Sequence, residues 1–163
     1  MDLPAYYEFC CRVKTVSGHD VLEKIPEILG DLGARLPLII TDKGVFEAGL
    51  IDVVTSVMKD RVPCLRSGGS VETDVPPDSD LTVVNRLAGV YREKGCDAII
   101  AVGGGSVLDT AKGVNIVVSE NASDLMAFTG TGALKRPLKP LIAIPTTAGT
   151  GSEATLVAVI ADH

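Results

Sequence analysis

The chain has 163 residues, 46% of them apolar and 4% aromatic, with 17 glycines. That length houses one domain with a sizeable core, and an aromatic-poor mix rich in Ala, Val, Ile and Gly suits an α/β protein with buried parallel strands. Fifteen basic residues against 21 acidic ones leave a net charge of −6 without a basic run, which argues against nucleic acid and anionic membrane as partners.

Along the chain, YYEFCCRVKTVSG (6–18) is rich in β-formers and predicts a strand or hairpin. Asp20 then precedes Leu22, Ile25, Leu29 and Leu32 at helical spacing. Glu23 completes a capping-box pattern with Asp20, Pro26 should break the helix near its start, and Gly33 suits its end. LPLIIT (36–41) predicts a buried strand. TDKG follows, then one helix over 44–58 with Phe46, Leu50, Val53, Val54 and Val57 on its inner face. VPCLR (62–66) predicts a short strand and 67–80 a polar loop rich in Gly and Pro. Leu81, Val84, Leu87, Ala88 and Tyr91 form the next helical stripe, closed by Gly95. CDAIIAVGGGS runs from strand into turn and TAKGVNIVVS continues as helix. Residues 121–140 read as irregular with at most one helical turn. PLIAIP (140–145) predicts a fourth strand, TTAGTGSE (146–153) a second Gly/Thr turn, and ATLVAVIA (154–161) a last strand.

Strands alternating with helices predict βαβ units in a single α/β domain with a doubly wound, mostly parallel sheet. The cysteines, Cys10, Cys11, Cys64 and Cys96, form no C-x-x-C pair, so reduced thiols in a cytoplasm are the simplest account. The start, MDLPAYYEF, lacks a signal design, and no apolar stretch approaches the roughly 18 residues that span a bilayer.

Ligands of open parallel sheets sit beyond the carboxyl ends of the strands, where three polar turns converge. Gly103 to Asp109 misses both the G-x-G-x-x-G and the Walker spacing. Its glycines nevertheless let backbone approach a ligand, and the helix that follows aims free N–H groups and its positive dipole end at the same spot. A plain strand-to-helix joint with a Ser106–Asp109 capping box is the alternative. Thr146, Thr147, Thr150 and Ser152 set four hydroxyls around Gly149 and Gly151, enough to wrap a diphosphate or a ribose, whereas a Thr150–Glu153 cap needs fewer. Asp42 could accept from both ribose hydroxyls of an adenosine and repel a 2′-phosphate, or simply cap the next helix. The acid precedes the glycine turn, the reverse of the usual dinucleotide order.

The succession TDKG, GCDAIIAVGGGSVLDTAKG and PLIAIPTTAGTGSEAT resembles the iron-containing (group III) alcohol dehydrogenase family across residues 18–163. VSGHDVLEKIPEIL (16–29) and VPPDSDL (75–81) also stand where relatives carry similar stretches. The resemblance implies an NAD(P)-binding N-terminal domain with a fold shared by glycerol dehydrogenase and dehydroquinate synthase. By position it makes Asp42 the ribose acid favouring NAD over NADP, and Gly104, Gly105 and Ser106 the pyrophosphate turn. It sets Asp109 near the nicotinamide, Thr146, Thr147 and Thr150 around adenine, ribose and phosphates, and Thr155 and Val157 along the nicotinamide. Pro77 stands where some relatives have a ribose-contacting Asn.

The resemblance also implies a divalent metal, iron or zinc, held by an aspartate and three histidines of a helical C-terminal domain. With only His19 and His163, these 163 residues cannot supply that set. The expectation is therefore the cofactor half of an enzyme moving hydride between a small alcohol or aldehyde and NAD, with no catalytic or metal residue of its own. Residues 1–163 would be the NAD(P)-binding domain, and a homo-oligomer is possible. The alternatives are a free-standing nucleotide-binding module, a half of a dehydroquinate-synthase-like or glycerol-dehydrogenase-like enzyme, and an α/β domain whose turns bind nothing.

Overall fold

The computed structural model describes residues 13–58, 71–130, 133–155 and 157–162. Among them, four strands form one parallel sheet: β1 (Pro37–Thr41), β2 (Val71–Glu72), β3 (Ala98–Gly103) and β4 (Leu141–Pro145), in the order β2-β1-β3-β4. The helices are α1 (Ile25–Asp31), α2 (Lys43–Glu47), α3 (Leu50–Met58), α4 (Leu81–Glu93) and α5 (Gly105–Ser119). Short 3-10 turns occupy Val21–Lys24 and Leu125–Phe128.

Alternation along the two central strands sorts the core into two layers, because successive side chains leave opposite faces of a pleated strand. Leu38, Ile40, Ile99 and Ala101 pack with Val84, Leu87, Val107, Leu108 and Ala111 of α4 and α5. Ile39, Ala98, Ile100 and Val102 pack on the other face with Ile25, Leu29, Ile51, Val54 and Met58 of α1 and α3. β1 and β3 are buried along their whole length, as strands covered by helices on both faces must be. The carboxylate of Asp97 ties their starts together, accepting from the N–H groups of Arg35 and Leu36 at 2.7–3.0 Å.

Five expectations need correction. Residues 13–17 form no strand; the rest of the 6–18 segment lies largely outside the described residues, as does VPCLR. The Asp20–Glu23 capping box does not form: Asp20 sits in the left-handed region (φ 57°) with no side-chain cap, and the chain enters through a 3-10 turn before Pro26 takes the first turn of α1. The 44–58 segment is two helices, since Gly49 takes φ +76° and breaks the run. That break rotates the buried stripe onto Ile51, Val54 and Met58, leaving Phe46, Leu50 and Val53 exposed. The 67–80 loop contains β2, which pairs with β1. Finally, the described residues of 154–161 carry only one parallel bridge, Asp80 to Ala161, rather than a strand. Val157 and Val159 stay exposed there, so strand-forming composition has found no ladder to join.

Candidate functional site

The sheet ends build the site. β1 stops at Thr41, whose buried hydroxyl donates to the carbonyl of Val102 on β3 at 2.8 Å and locks the two strand ends level. One residue on, Asp42 is the N-cap of α2 and accepts from the N–H of Val45 through Oδ1 at 2.9 Å. Capping therefore occupies one carboxylate oxygen.

On β3 the chain turns at Gly103 and Gly104 into α5, whose N-cap is Gly104 with no side-chain cap. The Ser106–Asp109 capping box is thus absent. The hydroxyl of Ser106 instead accepts from the N–H of Asp78, and its carbonyl accepts from the hydroxyl of Ser79. The glycines are sterically required. A Cβ at Gly103 would lie 2.5 Å from Val107 Cγ2, and one at Gly104 would lie 3.0 Å from Thr147 Oγ1. The uncapped N-terminus of a 15-residue helix leaves N–H groups in need of partners, beside a backbone stripped of side chains.

Asp42, Gly104, Gly105, Ser106, Thr146 and Thr147 line one cavity of about 1000 Å³. The TDKG turn adds Lys43 and Gly44 to the lining, and Pro77, marked only through the resemblance, lines it too; the reading from sequence missed Thr73, Asp74, Val75 and Pro76, together with Val45 and Val107. A two-residue strand gives almost no pattern to find, yet it aims residues 73–77 at the same sheet edge. The remaining predicted residues lie elsewhere. Thr150 packs on Gly105, 3.5 Å from where a Cβ would be, and its hydroxyl donates to Glu153. Asp109, buried, lines a second cavity of about 380 Å³ with Asp78, Ser79, Ser106, Val159, Ile160 and Ala161. Ser106 belongs to both cavities. Asp109 accepts from the Val159 N–H at 3.0 Å and pairs with Lys112 at 3.3 Å. Lys112 in turn donates to the Thr155 hydroxyl and the Val157 carbonyl, so these three predicted residues share one ammonium.

Among the described residues no three His, Cys, Asp or Glu side chains converge to hold a metal, so the residues described do not fit the implied ion. No helix among them is long and apolar enough to cross a membrane.

A parallel sheet wound on both faces, with a glycine turn and a helix N-terminus at its carboxyl edge, defines a dinucleotide-binding α/β domain. Comparison with known proteins narrows this class. The iron-containing alcohol dehydrogenase family matches residues 13–163, and the chain belongs to it. It is 35% identical over 158 residues to choline dehydrogenase of Bacillus subtilis and 33% over 151 residues to NAD-dependent methanol dehydrogenase of Bacillus methanolicus. These alignments cover 93% and 91% of the chain but 38% of each relative, so the chain spans well under half of their length. Among solved structures, sulfoacetaldehyde reductase from Bifidobacterium kashiwanohense in complex with NAD+ superposes with a TM-score of 0.84 at 28% identity, covering 98% of this chain and 41% of that one. The fold expectation holds, and the chain is the N-terminal part of its family.

Proposed function

We propose that residues 1–163 form the cofactor half of a metal-dependent alcohol dehydrogenase, binding NAD for hydride exchange between a small alcohol or aldehyde and the nicotinamide. The observation that carries this reading is the convergence of Asp42, the Gly104–Ser106 turn and Thr146–Thr147 on one cavity at the sheet's carboxyl edge. The chemistry of these donors suits a dinucleotide. Helix N–H groups of α5 meet the pyrophosphate without a side chain intervening, and the threonine hydroxyls add neutral donors. The carboxylate of Asp42, with one oxygen spent on Val45, keeps the other for ribose hydroxyls and sets a negative charge against a 2′-phosphate.

The nicotinamide end runs past Ser106 toward Asp109, because that residue joins the two cavities. Asp109, already held by Val159 and Lys112, has a fixed carboxylate with lone pairs left to accept from a carboxamide. NAD supplies the hydride chemistry when bound, and this chain binds and orients it. The described residues hold no metal set, so no metal-assisted step is assigned to them.

Calorimetric titration with NAD and with ADP-ribose tests the reading. Saturable binding of both, weakened by Gly104→Val, which fills the turn against Thr147, is the expected result. Absence of binding by either nucleotide would overturn it.

A further inference from the structure

The lining of the same cavity carries a second acid, Asp74. β2 pairs with β1 in parallel with Ile39 opposite Val71 and Ile40 opposite Glu72. Asp42 and Asp74 each stand two residues beyond that last pair, so the two acids follow the carboxyl ends of neighbouring, paired strands. Both line the cavity of about 1000 Å³.

Among the described residues, the cations nearby do not neutralise this pair. Arg86 is committed to Glu72, with Nη1 to Oε2 at 3.1 Å, and Lys94 reaches the same carboxylate at 3.2 Å. Asp74 receives only the far edge of the Arg86 guanidinium, Nη2 to Oδ2 at 4.0 Å, and its side chain is 62% exposed. Lys43 lines the cavity as well, so among the described residues a dianionic group at this mouth would meet two carboxylates and one ammonium.

We propose that Asp74 is a second specificity-determining residue, which shares with Asp42 the exclusion of a 2′-phosphorylated dinucleotide. The inference rests on the dinucleotide reading above and adds that Asp42 alone does not set the preference. Removing Asp42 leaves a like charge one strand away, and the two act together through an open, screened mouth.

The test is the ratio of NADP to NAD dissociation constants, measured by calorimetry at low and high salt. The proteins compared are the wild-type chain, Asp42→Ser, Asp74→Asn, the double variant and Asp74→Glu. Serine keeps an N-cap acceptor at position 42 while removing its charge. We expect Asp74→Asn to lower the ratio by about fivefold at low salt, the double variant to lower it beyond either single change, and high salt to shrink both effects. Asp74→Glu, which keeps the charge, should keep the ratio. A ratio unchanged in Asp74→Asn, or NAD and NADP weakened equally, would overturn the proposal while leaving NAD binding intact as a reading. Failure of the wild-type chain to bind either nucleotide would sink the dinucleotide reading itself, and the role of Asp74 with it.

Discussion

In the proposed reading, Asp42 does two jobs that need different atoms. Oδ1 caps α2, a local task that Ser, Thr or Asn performs equally well, while the charge acts outward into the cavity. Asp42→Ser should therefore leave thermal stability within about 0.5 kcal/mol of wild type while reducing NAD affinity, a split that denaturation and titration of one preparation would reveal. Gly103 is the opposite case, a position fixed by packing alone. A methyl group there would press on the buried Val107, so Gly103→Ala should cost about 1–3 kcal/mol in urea unfolding. Tyr91 is 4% exposed, and its hydroxyl has no hydrogen-bond partner. Burial, with the neighbouring Asp97 and Cys96 charges adding to it, pushes the phenol up to about 12 from its ordinary 10. The native state therefore keeps its proton in a range where the unfolded chain loses it. The associated stability is complete below pH 10 and declines by about 1.4 kcal/mol per unit until the native phenol itself ionises. Tyr91→Phe should flatten this alkaline limb without lowering stability at neutral pH, since it deletes an unsatisfied buried group.

Of the elements, α5 carries the most. Its N-terminus faces the cavity and its middle packs on β3, while its C-terminal half pins the irregular 121–140 segment. Asn115, 2% exposed, donates to the carbonyl of Lys139 and accepts from the N–H of Lys139 and the hydroxyl of Ser119. Those pins deliver the chain to β4, whose end carries Thr146 and Thr147. Asn115→Ala should cost about 1–3 kcal/mol and speed amide exchange across β4, because the Lys139 carbonyl loses its donor and its N–H keeps only the Ser119 hydroxyl. Glu120 adds a pH-sensitive pin. The N–H groups of Arg136 and Lys135 hold its carboxyl below its ordinary value near 4.5. The stabilisation is complete above that value and lost as pH falls through the lowered native one, so exchange at these two amides should quicken in acid.

As a whole molecule, the chain presents a cavity at the sheet's carboxyl edge, the proposed cofactor site, without an ion-holding cluster among its described residues. On the proposed division of labour, it should show no alcohol-dependent NAD reduction, even with added Fe(II) or Zn(II), under conditions where calorimetry detects NAD. Measurable turnover by the purified 163-residue chain would refute this division of labour. Val157 and Val159 are exposed, Val159 at the smaller cavity, and the described residues around them are held by Lys112, Asp109 and a single bridge rather than by a ladder. A strand-forming sequence in that state has unsatisfied pairing capacity, which ties the order of this corner to whatever packs against it.

The sequence by itself determined the central strands, the α4 and α5 stripes and the identity of the glycine and threonine turns. Each rests on a local rule, an uninterrupted apolar run or a 3.6-residue period, that tertiary context did not override. LPLIIT and CDAIIAVG became strands buried along their whole length, and PLIAIP the half-buried strand at the sheet's edge. Only the tertiary structure decided the rest. It broke 44–58 at Gly49, because a positive φ is invisible to an apolar period, and it denied ATLVAVIA a ladder, because a strand needs a neighbour as well as a composition. It also separated Asp109, Thr155 and Val157 from the main cavity and brought Asp74 beside Asp42. That last juxtaposition comes from the pairing of a two-residue strand with β1, a contact between segments 32 residues apart (Asp42 to Asp74) that no local pattern in either one encodes.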